Sequence, residues 1–356
     1  MKYGLIYYKD TENLGDDILS YAGKRFLPQI DYYIDRENMD LFLPEKKEYV
    51  AAILNGWYIH YSYAFPPSPY LLPFFSGTHF NIDPMIYGDY AYLDGAGVEY
   101  LKKYTPIGCR DPKTMEMLQQ KGVDSYFSGC LTLTLQKYAD VQPNHMVFLT
   151  DVSDRVSEYV RSRLLDREVL NLTHRFTKQE KGWMDWEKRE ERVETYLKRY
   201  QGADLVITKR LHCALPCIAL DVPVILIVEE NQDYYDRIDC FTPYVTSCTE
   251  EELLSGKVDE RLLHPVPNGS VKELVDGMEA EVRQFVEKMR TVEPDTSQLP
   301  DPSLYHELFV ERSINMRRAI HRLLARQISL VMQHHEDVRT MEKVMALARK
   351  LTGAEQ

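Results

Sequence analysis

Ala203-Asp204-Leu205-Val206-Ile207-Thr208-Lys209-Arg210-Leu211-His212-Cys213-Ala214-Leu215-Pro216-Cys217-Ile218-Ala219-Leu220-Asp221-Val222-Pro223-Val224-Ile225 decides the fold of this chain. Asp204–Thr208 is a short apolar run that predicts a buried strand. Leu211–Leu220 predicts a helix and Pro223–Val228 a further strand, so the stretch is one β-α-β unit. It delivers Lys209, Arg210 and His212 to the strand–helix junction, where free N–H groups and the helix dipole favour an anion. Two permanent cations beside a titratable imidazole suit a phosphorylated carboxylic acid, and the imidazole can donate a proton to a leaving oxygen. A solvated basic turn with a capping histidine is the plainer reading of the same residues. Pro216 lies four residues after His212, where the first turn tolerates it.

The alternation extends outward from this unit. Lys2–Tyr8, Asp31–Ile34, Val50–Leu54, Pro106–Cys109 and Ser125–Phe127 read as strands, and Asp16–Phe26, Val98–Tyr104 and Pro112–Gln120 as helices. After turn formers in Tyr138–Asn144 the pattern restarts. Met146–Leu149 and Val169–Leu172 read as strands, Ser153–Leu165 and Glu187–Tyr200 as helices. The prediction is an α/β chain of two Rossmann-like domains, residues 1–141 and 142–292, each with a mostly parallel sheet. Ligands of such sheets bind at the carboxyl ends of strands, and both sets of ends can face one cleft.

Two segments depart from the alternation. Residues 57–92 form an insert with twelve aromatics and five prolines and no sustained period. After a linker from residue 293, residues 306–352 are helical in composition, with neither Pro nor Gly.

Composition bounds the function. With 356 residues the chain is long enough for two domains, and its net charge of −12 argues against general nucleic-acid binding. Six scattered cysteines are too few for a secreted disulfide scaffold. The start reads as a strand instead of a signal peptide, and Val222–Val228, the longest compact apolar run, is far too short to span a bilayer. The expectation is a cytoplasmic protein. The charge is uneven: residues 306–352 carry nine Lys and Arg against five Asp and Glu. Such a helix could rest on an anionic bilayer, or pack on the protein's own domains or a second subunit.

Further candidates lie at other strand ends. Asn13-Leu14-Gly15-Asp16-Asp17 follows the first strand, and its two carboxylates support two readings: helix cap, or acceptor of a proton from a hydroxyl. Arg110, in Cys109-Arg110-Asp111-Pro112, presents a fork that matches carboxylate or phosphate oxygens, with a local cap interaction as its alternative. Cys213 and Cys217 share a helix face, but His212 points elsewhere and no second pair has zinc spacing, so no metal site is expected.

Asn13-Leu14-Gly15-Asp16, Cys109-Arg110-Asp111 with Leu118–Gly122, and Asp204–His212 with Pro223-Val224-Ile225 together resemble the polysaccharide pyruvyl transferases over roughly residues 3–240. The resemblance implies a GT-B-like arrangement of the two domains, phosphoenolpyruvate as donor, and a saccharide as acceptor. The family's donor-binding arginines and histidine match Arg110, Arg210 and His212. Two departures fall on the acceptor side: Asn55-Gly56-Trp57 stands where many members have a Gly-rich turn, and Gly129-Cys130-Leu131 where many have Asp-Pro.

The expected function is therefore transfer of pyruvate from phosphoenolpyruvate to a sugar as a ketal, in capsule, exopolysaccharide or wall-polymer assembly. Arg110, Lys209, Arg210 and His212 would hold the donor. His212 would supply the proton, and Asp16 or Asp17 would be the base. Asn13, Gly15 and Trp57 would meet the acceptor, with the aromatic stretch offering flat faces to sugar rings or simply filling space. No cofactor or metal is expected. The expected partners are phosphoenolpyruvate, a saccharide acceptor, free or carried on polyprenyl diphosphate, the inner face of the membrane, and another copy of the chain. A nucleotide-sugar glycosyltransferase and a non-catalytic saccharide-binding component are the rival readings.

Overall fold

The computed structural model describes residues 1–58, 65–80, 95–176, 186–228, 236–315 and 317–318. The chain forms two compact units, Met1–Phe42 with Glu48–Asp295 and Leu43–Lys47 with Thr296–Gln356.

The larger unit holds two wholly parallel sheets with helices between their strands. The first contains β1 (Lys2–Tyr7), β2 (Tyr32–Asp35), β3 (Val50–Tyr58), β4 (Leu71–Phe80), β5 (Ile107–Cys109) and β6 (Ser125–Phe127), in the order β2-β1-β3-β4-β5-β6. The second contains β7 (Met146–Thr150), β8 (Glu168–Leu172), β9 (Leu205–Thr208), β10 (Val224–Val228) and β11 (Thr246–Thr249), in the order β11-β10-β9-β7-β8. Parallel strands must be joined by crossovers. Those that shape the site are α1 (Leu14–Lys24), α2 (Ala96–Lys102), α3 (Pro112–Gln120), α4 (Asp154–Arg163), α5 (Trp186–Gln201) and α6 (Leu211–Ala219). Two Rossmann-like sheets with their strand ends directed to a common junction make the expected GT-B-like arrangement.

One apolar core joins the halves. Leu14, Ile18 and Ala22 of α1 pack in the same cluster as Val193 and Leu197 of α5 and Cys213, Ala214 and Cys217 of α6. The main chain joins them too. Leu14 N donates to His174 O at 2.8 Å and Phe176 N to Glu12 O at 2.9 Å, while Asn13 and Arg175 form an antiparallel bridge. After β11 come α7 (Glu250–Leu254) and the long α8 (Lys272–Thr291). The latter returns to the first sheet, where Phe285 stacks on Phe74 of β4 with ring centroids 5.0 Å apart.

The stretch 57–92, expected to be irregular, contains a strand. β4 occupies Leu71–Phe80 inside it, and β3 runs on to Tyr58. Pro73 conceals this strand from a sequence reading because proline cannot donate to a ladder. It is tolerated because β5 joins β4 only at the Thr78–Cys109 pair, so β4 is an edge where Pro73 pairs with Ala52. The edge strand β11 and the helices after it are likewise additions to the sequence reading. Residues 59–64 and 81–94 of the aromatic stretch lie outside the described residues.

In the smaller unit Lys47 Nζ donates to Ser297 O at 3.1 Å. Asp301 caps the helix Pro302–Tyr305 through Ser303 N at 2.9 Å, and a π-helical turn, His306–Val310, follows. Most of the expected tail helix, residues 319–352, lies outside the described residues. Among the described residues no helix is long and apolar enough to cross a membrane.

Candidate active site

The turn from β9 into α6 explains the position of His212. Arg210 stands at the cap with its N–H on Thr208 Oγ1 at 2.9 Å. Pro216 has no N–H to offer the His212 carbonyl four residues before it, and His212 leaves helical geometry at φ −82° and ψ 20°. The opened turn brings its imidazole to Arg110 of the first sheet, with Arg110 Nη1 3.3 Å from His212 Nε2. Guanidinium only donates, so Nε2 accepts and the imidazole proton resides on Nδ1.

Arg110 follows β5 and is fixed by its own N–H, which donates to Thr78 O at 2.9 Å. The residue is 1% exposed and its Nε has no hydrogen-bond partner among the described residues. Among the described residues it has no ion pair. The adjacent Asp111 is engaged elsewhere: it caps α3 through Thr114 N at 2.9 Å and meets His79 Nδ1 at 2.6 Å. Burial pushes the Asp111 carboxyl up, but His79, the Thr114 amide and Arg110 outweigh it and hold the group below its ordinary value. A buried guanidinium that lacks a direct ion pair carries a desolvation cost of several kcal/mol, and among the described residues the Asp111 carboxylate acts on Arg110 only through space.

Gly15 lies against the other side of His212. A Cβ on Gly15 would stand 3.0 Å from His212 Cβ and 3.3 Å from its Nδ1, so only glycine allows this approach. Asp16 comes next. Its Oδ1 accepts from Arg36 Nη1 at 3.0 Å and its Oδ2 from Thr11 Oγ1 at 2.6 Å. Burial pushes its carboxyl up, but Arg36, Thr11 and nearby His212 together hold it below the ordinary value. Asn13 is the cap of α1, its side chain accepting from Gly15 N at 3.1 Å. The capping role expected of a carboxylate in this turn therefore falls to an amide, which leaves Asp16 to Arg36 and Thr11.

Asp17 does not reach this cluster as expected of a base. It is buried in an ion pair with Arg189 of α5, whose Nε donates to Asp17 Oδ1 at 2.9 Å. The cations at the end of β9 are not left open either. Lys209 Nζ is 2.6 Å from Glu250 Oε2 of α7, and Arg210 Nε is 2.8 Å from Asp151 Oδ2. Asp151, at φ 53°, also accepts from Thr173 Oγ1 at 2.7 Å and His174 N at 3.1 Å. Its carboxylate occupies only Nε of Arg210, whose two Nη groups have no protein hydrogen bond among the described residues. Trp57 lies near the end of β3, half-buried and edge-on to His79, with ring centroids 5.4 Å apart.

The structure thus gathers Gly15, Asp16, Arg110 and His212, keeps Arg210 close in sequence to them, and closes Lys209 and Asp17 in ion pairs. Four functional candidates escape a reading of the sequence: Arg36, Asp151, and the His79–Asp111 pair. Each lies at the carboxyl end of a parallel strand, the one signal that points to them. Cys213 and Cys217 are fully buried, and no group of three metal-ligating side chains occurs among the described residues. The arrangement sets a buried guanidinium beside an imidazole and a fixed carboxylate, groups whose chemistry suits anion binding and proton transfer.

Comparison with known proteins gives a family. The sequence model described as polysaccharide pyruvyl transferase matches residues 13–231, which is more than half of the chain. No curated protein matches. Among solved structures, a functionally uncharacterized protein from Klebsiella pneumoniae is 12% identical, with TM-score 0.42, covering 70% of this chain and 92% of its own. A UDP-GlcNAc 2-epimerase from Methanocaldococcus jannaschii is 12% identical, with TM-score 0.41, covering 81% and 100%. The S. aureus protein MnaA, solved with UDP, is 10% identical, with TM-score 0.42, covering 83% and 99%. At these scores the structural likenesses carry no argument about activity.

Proposed function

This chain belongs to the polysaccharide pyruvyl transferase family, and from that premise we propose that it moves pyruvate from phosphoenolpyruvate to a saccharide as a ketal during surface polysaccharide assembly. The observation that carries the reading is Arg110: a buried guanidinium with no ion-pair partner among the described residues, in contact with His212. Phosphoenolpyruvate supplies both a carboxylate and a phosphate to such a position.

In the proposed reaction Arg110 and the Nη groups of Arg210 hold the donor's anionic ends. His212 protonates C3 of the enol, the double-bond pair forming the new C–H bond. C2 becomes electrophilic and one sugar hydroxyl adds to it, losing its proton to a base. The C2–O bond to phosphorus then breaks with its electron pair going to phosphate. The second hydroxyl closes the ketal, and its proton leaves with phosphate. Asp17 is committed to Arg189, and Asp16 has both oxygens occupied. His79, whose Nδ1 meets the Asp111 carboxylate at 2.6 Å, is the base proposed in their place. Trp57 beside it provides an apolar face for a sugar ring. Lys209, closed on Glu250, shapes the turn instead of touching the donor.

The acceptor we propose is a lipid-linked saccharide, reached from the cytoplasmic face of the membrane. The excess of Lys and Arg in residues 306–352 supports that location. The test is incubation with phosphoenolpyruvate and a set of lipid-linked saccharides. Phosphate release with an acceptor gain of about 70 Da supports the reading, and turnover of a sugar nucleotide in its place would refute it.

A further inference from the structure

The site contains a charge sequence that runs across the junction of the two sheets. From the end of β2, Arg36 Nη1 holds Asp16 Oδ1 at 3.0 Å, and Thr11 holds the other oxygen at 2.6 Å. Arg36 is itself nearly enclosed, with its guanidinium 4.2 Å over the Tyr8 ring and its Nε on Glu37 Oε1 at 2.9 Å. His212 comes next, its Nδ1 edge against Gly15, and Arg110 Nη1 closes the sequence at 3.3 Å from Nε2.

The imidazole thus has the Arg110 guanidinium at its Nε2 and lies near enough to Asp16 to act on its carboxyl through space. Among the described residues, Arg110 faces it from the end of β5 and Gly15–Asp16 from the first turn of α1. On its own element, Arg210 is turned to Asp151 and Lys209 to Glu250. While Arg110 donates to Nε2, that nitrogen cannot carry a proton. An oxyanion in the position is the stronger acceptor for a guanidinium, because both partners are then charged.

We propose that oxyanion binding transfers the Arg110 hydrogen bond from His212 to the ligand, so that His212 takes up a proton as the site fills, with Arg36 as the positioning residue that fixes the Asp16 carboxylate as its counter-charge. The proposal rests on phosphoenolpyruvate being the anion, and it adds that the donor arms its own acid. The empty enzyme keeps an imidazole that cannot protonate anything at Nε2. The occupied enzyme carries imidazolium between Asp16 and the bound anion.

Calorimetric titration of the full chain with phosphoenolpyruvate, repeated in buffers of different ionisation enthalpy, reads the protons exchanged. At about pH 7.5 the expected result is uptake approaching about one proton per ligand bound. The His212→Gln variant should bind with little uptake. Asp16→Asn, which keeps the side-chain shape, should lose at least half of it, and Arg36→Lys should retain more than Arg36→Met. A parallel titration with sulfate, which does not titrate near neutrality, separates His212 from the donor's own phosphate. Uptake with sulfate but no binding of phosphoenolpyruvate would retain the inference and overturn the donor assignment. Binding of phosphoenolpyruvate without proton uptake, or uptake that persists in His212→Gln, would overturn the inference and leave the donor assignment standing.

Discussion

Arg110 and His212 meet across the junction of the two sheets, Nη1 to Nε2 at 3.3 Å, and among the described residues no carboxylate forms an ion pair with the guanidinium. Replacing Arg110 by Met should therefore split stability from activity. An unbalanced buried cation destabilises the folded state, so the apolar variant should be as stable as the parent or more so, by about 1–3 kcal/mol. Phosphoenolpyruvate-dependent turnover should fall on the order of a thousandfold. Denaturant melts and phosphate-release kinetics on one preparation check both halves.

Asp17 should behave in the opposite way. Its removal takes the carboxylate from a buried Arg189, which keeps the Tyr8 carbonyl as an acceptor at 2.7 Å. Asp17→Ala should cost about 3–5 kcal/mol in unfolding measurements. The folded fraction should keep its kcat to within a small factor, and a loss of kcat with full stability would return Asp17 to the site.

Gly15→Ala places a methyl 3.0 Å from His212 Cβ. The imidazole must yield by a few tenths of an ångström, which should lower kcat/KM by about tenfold or more. Alanine favours a helix over glycine by up to about 1 kcal/mol, so the melting point should hardly move.

Asp111→Asn keeps a side chain that can cap α3 but removes the carboxylate that orients His79. With an active acceptor, kcat should fall by about a hundredfold or more, while phosphoenolpyruvate binding by calorimetry stays near that of the parent. His79→Asn should produce the same separation. Turnover equal to the parent's in both variants would remove His79 from the reaction.

Stability against acid should follow the site's carboxylates. Asp16, Asp111 and Asp151 all have folded values lowered from the ordinary 3.8. Each contributes stability that is fully present above the unfolded value and lost as pH falls below it, through the folded one. Unfolding free energy should decline below about pH 4, and Asp16→Asn should flatten that decline.

Much of this architecture was legible in the sequence because burial on both faces leaves uninterrupted apolar runs, as in Val224–Val228. The run at Leu71–Phe80 was not legible, since Pro73 denies a strand unless its neighbour is known to be absent there. The same limit governed the site. Strand ends announced Arg110, Arg210 and His212, but sequence spacing carries no sign of which cation is balanced. Only the fold reveals that Asp151 and Glu250 neutralise Arg210 and Lys209, that Arg189 claims Asp17, and that Arg110 has no such carboxylate among the described residues.

The backbone seam between the β1–α1 turn and residues 174–176 has a mechanical consequence. Leu14 to His174 and Glu12 to Phe176 are main-chain bonds, set directly beside Gly15 and Asp16. Translating one sheet away from the other would break both at once, whereas rotation about the seam would break neither. The seam thus sets the register in which Gly15 and Asp16 meet the second sheet, and the Lys24–Glu190 and Asp17–Arg189 pairs of α1 and α5 hold the same register farther along the helix. A change that loosens this seam would therefore reach the acid of the proposed reaction without touching a side chain of the site.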